Sequence, residues 1–285
     1  MKYNQLVTIA KARFSKCGIE TPQLDAELLL TDLLSSDRTF LILHGDDESL
    51  LEQEEEYFER VARRESGIPL QYITGKQEFM GLQFAVNETV LIPRQDTEVL
   101  VETAIEKART LSGNGSLDIL DMCTGSGAIA LSLSHYLPEA RITAADISEK
   151  ALGTAKKNAR QLGLYERVDF VSGDMFESVR GKKFDLILCN PPYIRTDILS
   201  TLQTEVKDHE PMSALDGGAD GLGFYRIIAK DAPGYITDGG WIMLEIGHDQ
   251  GETVSKLLLD AGCFSNISVL KDLAGNNRIV IAKKR

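Results

Sequence analysis

From about residue 117 onward the chain alternates short apolar runs with stretches of helical periodicity, and this alternation restricts the fold more than any other feature. Apolar runs lie at 117–122, 141–146, 167–172, 184–189, 240–246, 265–271 and 277–283. They have the length of strands and are too short for buried helices. The segments between several of them carry apolar residues at helical spacing, so strand, helix and strand follow one another, which calls for parallel pairing with right-handed crossovers. The expected fold is therefore α/β: a seven-stranded, mostly parallel, Rossmann-like sheet whose last strand is free to run antiparallel. Open sheets of this type bind ligands beyond the carboxyl ends of their strands, where the strand order switches.

Three strand ends on that edge carry chemistry. The run Leu117-Asp118-Ile119-Leu120-Asp121-Met122 leads into Cys123-Thr124-Gly125-Ser126-Gly127, and a helical pattern starts at Ala128. Gly125 and Gly127 permit backbone angles and close approaches that a Cβ forbids, and the first N–H groups of the next helix offer a polar cradle. A glycine pair after a strand is weak evidence by itself, and the full dinucleotide fingerprint is absent. The next strand ends in Asp146, placed either to accept hydrogen bonds from ribose hydroxyls or to cap the helix that follows. The run Phe184–Cys189 ends in Asn190-Pro191-Pro192-Tyr193. Paired prolines remove two backbone donors and hold the chain rigid and extended. Asn190 supplies one acceptor and two donors beside unconsumed carbonyls, and Tyr193 adds a flat face. Such a corner suits a planar group bearing an NH2, although Pro-Pro can also simply stop a strand. Together, the glycine turn, Asp146 and the corner resemble the class I S-adenosylmethionine-dependent methyltransferases that modify planar nitrogens.

The 285 residues suffice for one large domain or two ordinary ones. A net charge of −12 counts against a partner gripped along its phosphates. Cys17, Cys123, Cys189 and Cys263 form no close pair, and His44, His135, His209 and His248 show no metal-ligand spacing. A reducing, cytoplasmic setting without a metal is expected. No apolar run approaches membrane-spanning length and the N-terminus opens no leader-like apolar stretch, so no membrane association is expected.

Residues 1–75 read as helical. Leu6, Ile9, Ala10 and Phe14 form an apolar stripe, Thr21-Pro22 opens a second helix, and Glu52, Glu54, Glu55 and Glu56 read as a solvated helix face. Composition changes at Gly67-Ile68-Pro69. Residues 76–92 are expected as a β-hairpin linker and 93–285 as the methyltransferase domain, with an amphipathic helix from Asp96 to Leu111 and a loop at 112–116.

The whole chain resembles the HemK family, the glutamine-specific methyltransferases of peptide chain release factors. The most specific segments are Pro69–Gly75, Val90–Glu98 with Ile92-Pro93-Arg94, Asp121–Gly127, Asn190–Ile194, Glu210-Pro211, Ala214–Leu222 and Leu244–Gly247. The resemblance implies S-adenosylmethionine as cofactor, held by Cys123, Thr124, Gly125, Ser126 and Gly127, with Asp146 on the ribose, Met175 beside the adenine and Asn190 at the same site. It implies that Asn190, Pro191, Pro192 and Tyr193 grip the glutamine of a Gly-Gly-Gln loop in class I release factors. The helical segment would recognise that protein, and the enzyme would act as a monomer with no stable nucleic acid. Asn-Pro-Pro-Tyr also suits enzymes that methylate the exocyclic amine of adenine in RNA or DNA, the alternative reading. This chain departs from the family where Cys123 replaces a usual Gly, Met175 lies where Trp is frequent, Gln95-Asp96 replace Pro-Glu and His209 replaces Tyr. Cys is small enough for a tight turn provided its φ is negative.

An amide nitrogen is a poor nucleophile because its lone pair is delocalised into the carbonyl. No strong base is evident in the sequence. The expected device is positioning: both amide hydrogens accepted, one by the Asn190 side-chain oxygen and one by the Pro191 carbonyl. Glu98, Glu245 and Asp121 are candidates for supporting that geometry or for holding the methionine amino group of the cofactor, each with a simpler reading as a helix cap or strand end.

Overall fold

The computed structural model describes residues 1–111 and 116–285. Most of the loop expected at 112–116 therefore lies outside the described residues. Helices α1 (Tyr3–Lys16), α2 (Pro22–Leu33), α3 (Arg38–His44), α4 (Leu51–Glu65) and α5 (Leu70–Thr74) come first, followed by the hairpin strands β1 (Lys76–Phe79) and β2 (Leu82–Ala85). Then come α6 (Glu98–Leu111), β3 (Asp118–Met122), α7 (Ala128–Tyr136), β4 (Arg141–Asp146), α8 (Glu149–Gln161), β5 (Val168–Ser172) and β6 (Phe184–Cys189). The chain ends with α9 (Thr204–Lys207), α10 (Gly223–Asp231), β7 (Ile236–Glu245), α11 (Gly251–Asp260), β8 (Phe264–Lys271) and β9 (Asn277–Lys284). These elements form two compact units, Met1–Lys76 with Gln203–His209 and Gln77–Leu202 with Glu210–Arg285.

The first unit packs Leu6, Ala10 and Phe14 of α1 against Ala26, Leu29 and Leu30 of α2 and Tyr57 and Val61 of α4. Ile9, expected on the α1 stripe, is exposed, and Val7 is buried in its place. Leu6, Ala10 and Phe14 keep the expected face, which extends toward Tyr3 and Val7 and away from Ile9. Buried polar groups are paired, as burial requires. The Tyr57 hydroxyl donates to the Ala26 carbonyl (2.9 Å), and Arg64 meets Asp25 at 2.8 Å and forms an ion pair with Glu205 of α9.

In the second unit seven strands form one sheet in the order β5-β4-β3-β6-β7-β9-β8. Every pairing is parallel except those of β9, which runs antiparallel to β7 and β8. Burial follows the two-residue period of strands. Ile119 of β3 joins a core with α6 and α7, while Leu120 and Met122 join one with α10 and α11 on the other face. Strand β7 starts at Ile236, earlier than the expected 240, because the Gly239-Gly240 pair is absorbed as a register shift against β6. Strand order reverses between β3 and β6, where Met122 is in register with Cys189. The residues following both, Cys123 and Asn190, therefore emerge side by side at the switch point.

Candidate active site

The turn after β3 is built on left-handed backbone: φ is 61° at Cys123, 55° at Gly125 and 81° at Gly127. Cys123 thus does not meet the condition under which cysteine sits comfortably in a turn. Its Cβ is strained against the backbone by roughly 1 kcal/mol or more. Carboxylates hold the turn in this shape. The Thr124 hydroxyl (2.6 Å) and the Ala130 N–H (3.0 Å) donate to Asp121 Oδ2, and the Gly125 N–H donates to Asp146 Oδ2 (2.8 Å). Burial pushes the Asp121 carboxyl up to about 7, against the pull of its two donors toward the charged form. A Cβ on Gly127 would lie 3.1 Å from both Ala155 Cβ and Leu131 Cδ1, so tight packing and the φ of 81° both disfavour a side chain there. A Cβ on Gly125 would meet nothing within 4 Å, which leaves that side of the turn open.

Asp146 had two readings, and its surroundings separate them. Ser148 is the N-cap of α8, accepting from the Ala151 N–H at 3.2 Å. The Asp146 carboxylate instead braces the glycine turn and the Ser148 N–H (2.9 Å) while facing the cavity. Burial pushes its pKa upward, opposed by backbone N–H donors.

The corner after β6 is held by the loop at 214–222, which the sequence singled out without assigning a role. The Ile194 N–H donates to the Leu215 carbonyl (3.0 Å) and the Gly217 N–H to the Ile194 carbonyl (2.8 Å). Gly221, at φ 72°, passes so near that an added Cβ would stand 2.4 Å from the Tyr193 carbonyl oxygen. The Gln250 amide donates to the carbonyls of both Tyr193 (3.0 Å) and Gly221 (3.2 Å). The Tyr193 hydroxyl donates to Glu245 Oε1 at 3.4 Å, and burial raises the Glu245 carboxyl to about 7. Asn190 Nδ2 donates to the Thr97 hydroxyl oxygen across a long 3.5 Å contact. Among the described residues, no hydrogen bond reaches the Pro191 carbonyl.

Turn and corner open into one cavity of about 560 Å³, within the usual range for small-molecule sites. Cys123, Thr124, Gly125, Ser126, Asp146, Met175, Asn190 and Pro192 all line it. Gly127, Pro191 and Tyr193 do not: Gly127 faces α8, Pro191 is buried, and Tyr193 turns its hydroxyl toward Glu245. Sequence reasoning missed three supporting residues: Thr97; Gln250; and buried Asn158, whose amide donates to the Ser126 carbonyl (2.9 Å) and to the Ala85 carbonyl (3.0 Å). The available signal for Asn158 was a polar residue on the apolar face of an otherwise amphipathic α8. Thr97 and Gln250 carried no comparable signal.

The chain matches the family models of the PrmC N-terminal domain over residues 5–75 and the methyltransferase small domain over residues 95–206. The release factor glutamine methyltransferase of Moorella thermoacetica is 46% identical over 285 residues, spanning 100% of this chain and 99% of its own length. That of Clostridium botulinum is 41% identical over 271 residues, 94% of each chain. Among solved structures, the hMettl16 catalytic domain superposes with a TM-score of 0.56 at 16% identity, covering 81% of each chain. A methyltransferase from Pyrococcus furiosus does so with a TM-score of 0.51 at 16% identity, covering 82% of this chain and 99% of its own. The two structural likenesses carry the fold, a Rossmann-like methyltransferase sheet, and the two relatives carry the family. No helix among the described residues is long and apolar enough to cross a membrane. By identity sustained along its whole length, the chain belongs to the release factor glutamine methyltransferase family.

Proposed function

We propose that this protein methylates the side-chain amide nitrogen of the Gly-Gly-Gln glutamine in class I peptide chain release factors, using S-adenosylmethionine. One observation carries the reading: the glycine turn and the Asn190 corner open into the same cavity, so a methyl donor and a planar amide would meet there. The residues fit this cofactor. The open face at Gly125 admits a ligand where a Cβ would project, Asp146 presents a carboxylate for ribose hydroxyls, and Met175 gives a soft apolar contact for an adenine. Cys123 through Gly127 would hold the amino-acid end. When bound, S-adenosylmethionine supplies a methyl group made electrophilic by its sulfonium.

The protein's own part is orientation. Asn190 Oδ1 accepts an amide hydrogen, which aims the nitrogen and draws its lone pair out of conjugation. Positioning of this kind contributes orders of magnitude in rate, and the same acceptor stabilises positive charge developing on nitrogen. Tyr193 braces the corner from behind. The helical residues 1–75 recognise the release factor, and the enzyme works as a monomer in the cytoplasm. An acidic chain with net charge −12 suits a protein substrate better than a nucleic acid.

The test offers methyl-labelled S-adenosylmethionine with release factors, a release factor lacking the Gly-Gly-Gln glutamine, tRNA, ribosomal RNA and DNA side by side. Label should enter the intact release factor alone. Label in nucleic acid, with release factors unmodified, would replace this reading by the adenine-amine one.

A further inference from the structure

One carboxylate at the cavity takes no part in the chemistry proposed above. Asp216 lines the cavity together with Asn190 and Pro192, and it comes from the loop that holds the corner. Its backbone bridges Ile194 as a parallel partner, flanked by the hydrogen bonds that join Ile194 to Leu215 and Gly217. Its side chain is fixed as well, since the Thr196 hydroxyl (2.7 Å) and the Gly218 N–H (2.9 Å) both donate to Oδ1. Both donors use the same oxygen, and Oδ2 accepts from none of the described residues. The Thr196 hydrogen bond, and after it that of Gly218, holds the carboxyl below the usual carboxylate range, so the group is charged at neutral pH. A rigid, ionised acceptor with one oxygen unused suits a donor brought by the ligand.

Asn190 already serves the reacting amide, which leaves this acceptor for another part of the substrate. We infer that Asp216 is a substrate-binding residue whose Oδ2 accepts a hydrogen bond from the backbone N–H of a glycine beside the reacting glutamine. The inference rests on the proposed release factor substrate and adds a specificity contact to it. Chain dimensions allow the contact. Asp216 stands beside Ile194, four residues beyond Asn190, and four residues span at most about 14 Å. From an amide held at Asn190 the glutamine side chain leads back to its own backbone, and each preceding residue adds roughly 3.5 Å. The two glycines therefore fall within reach of Asp216. Glycine also suits the contact, because without a Cβ its N–H approaches a fixed wall closely.

Asp216→Asn keeps Oδ1 with its two donors and puts an NH2 where Oδ2 stood, donor against donor. Thr196→Val removes one bond to Oδ1 and leaves Oδ2 alone. Methyl transfer to a full-length release factor would be measured at steady state for both, with cofactor Kd and Tm. In D216N the KM for the release factor should rise on the order of tenfold or more while kcat stays within about twofold, since the lost contact is made equally in the ground and transition states. Cofactor Kd and Tm should stay near wild type, and T196V should cost a few-fold at most. The rise in KM should persist in high salt, which screens separated charges far more than groups in contact. An unchanged KM, or weakened cofactor binding in its place, would overturn the inference. So would a fall in kcat alone, which would assign Asp216 to the reacting amide. A KM effect that vanishes in high salt would overturn it in favour of a cationic segment of the partner. A T196V variant poorer than D216N would overturn it by reducing Asp216 to a brace for the loop. A wild-type protein that leaves release factors unmethylated would overturn the substrate reading and this contact with it, whereas a methylating wild type matched by D216N overturns the contact alone.

Discussion

The two strand ends that meet at the switch point are held in shape by different means. At the turn after β3 the backbone does most of the work. Left-handed residues and two carboxylates that grip N–H groups form an open face. After β6 the backbone is merely stiff, and the working geometry is imposed by side chains and by a loop from later in the chain. A turn made by backbone tolerates a change such as Cys at position 123 with some strain. A corner made by side-chain polarity should tolerate very little.

That contrast breaks most visibly at Gly221. Its missing Cβ is what lets the loop lie on the Tyr193 carbonyl, so Gly221→Ala should displace the corner and destabilise the protein by about 3 kcal/mol. Denaturant titration would measure the stability and methyl transfer the function. Intact stability and activity would mean that the loop does not hold the corner. At the other strand end, Asp146→Ala removes a carboxylate that braces the turn and faces the cavity. The expected loss is about 1.5–3 kcal/mol of cofactor binding. Calorimetry with S-adenosylmethionine showing unchanged affinity would remove Asp146 from the site.

A smaller effect separates the buried carboxyls by pH. Burial raises Glu245 from 4.5 to about 7, so the folded state retains a proton that the unfolded state releases at lower pH. The stability this group confers is full below about pH 4.5 and lost as pH rises through about 7. Wild type should therefore lose about 2 kcal/mol relative to Glu245→Gln between pH 5 and 8. Asp121 shifts in the same direction but is common to both proteins and cancels. Parallel stability curves would place the Glu245 titration elsewhere. The smallest effect expected is at Cys123, where Cys123→Gly should relieve its left-handed strain and raise stability by about 1 kcal/mol. A lower Tm would show that packing of the thiol outweighs the strain.

Much of this was legible in the sequence because it is local. Strand positions followed from apolar runs, and β3, β4, β5 and β6 begin and end within a residue or so of the expected bounds. The glycine turn, Asp146 and Asn190 each sit at the end of such a run, so the strand-order switch alone brings them to one edge. Tyr193 shows where locality fails. It was expected to offer a flat face and help grip the glutamine, yet its hydroxyl points behind the corner because Glu245, distant in sequence, offers it a partner. Thr97 and Gln250 were invisible for the same reason. Nothing in their neighbours announces a carbonyl or an amide that only the folded chain delivers to them.

In the proposed reaction Asn190 is an acceptor for the substrate amide that also donates to Thr97. The most direct measurement is methyl transfer to a release factor by Asn190→Ala and Asn190→Asp, at saturating cofactor and substrate, alongside cofactor affinity. Both variants should bind S-adenosylmethionine within a few-fold of wild type, since the contacts in question belong to the substrate amide in the transition state. Both should lose transfer, the aspartate because it cannot donate to Thr97. Near-normal turnover by Asn190→Ala would contradict the central claim.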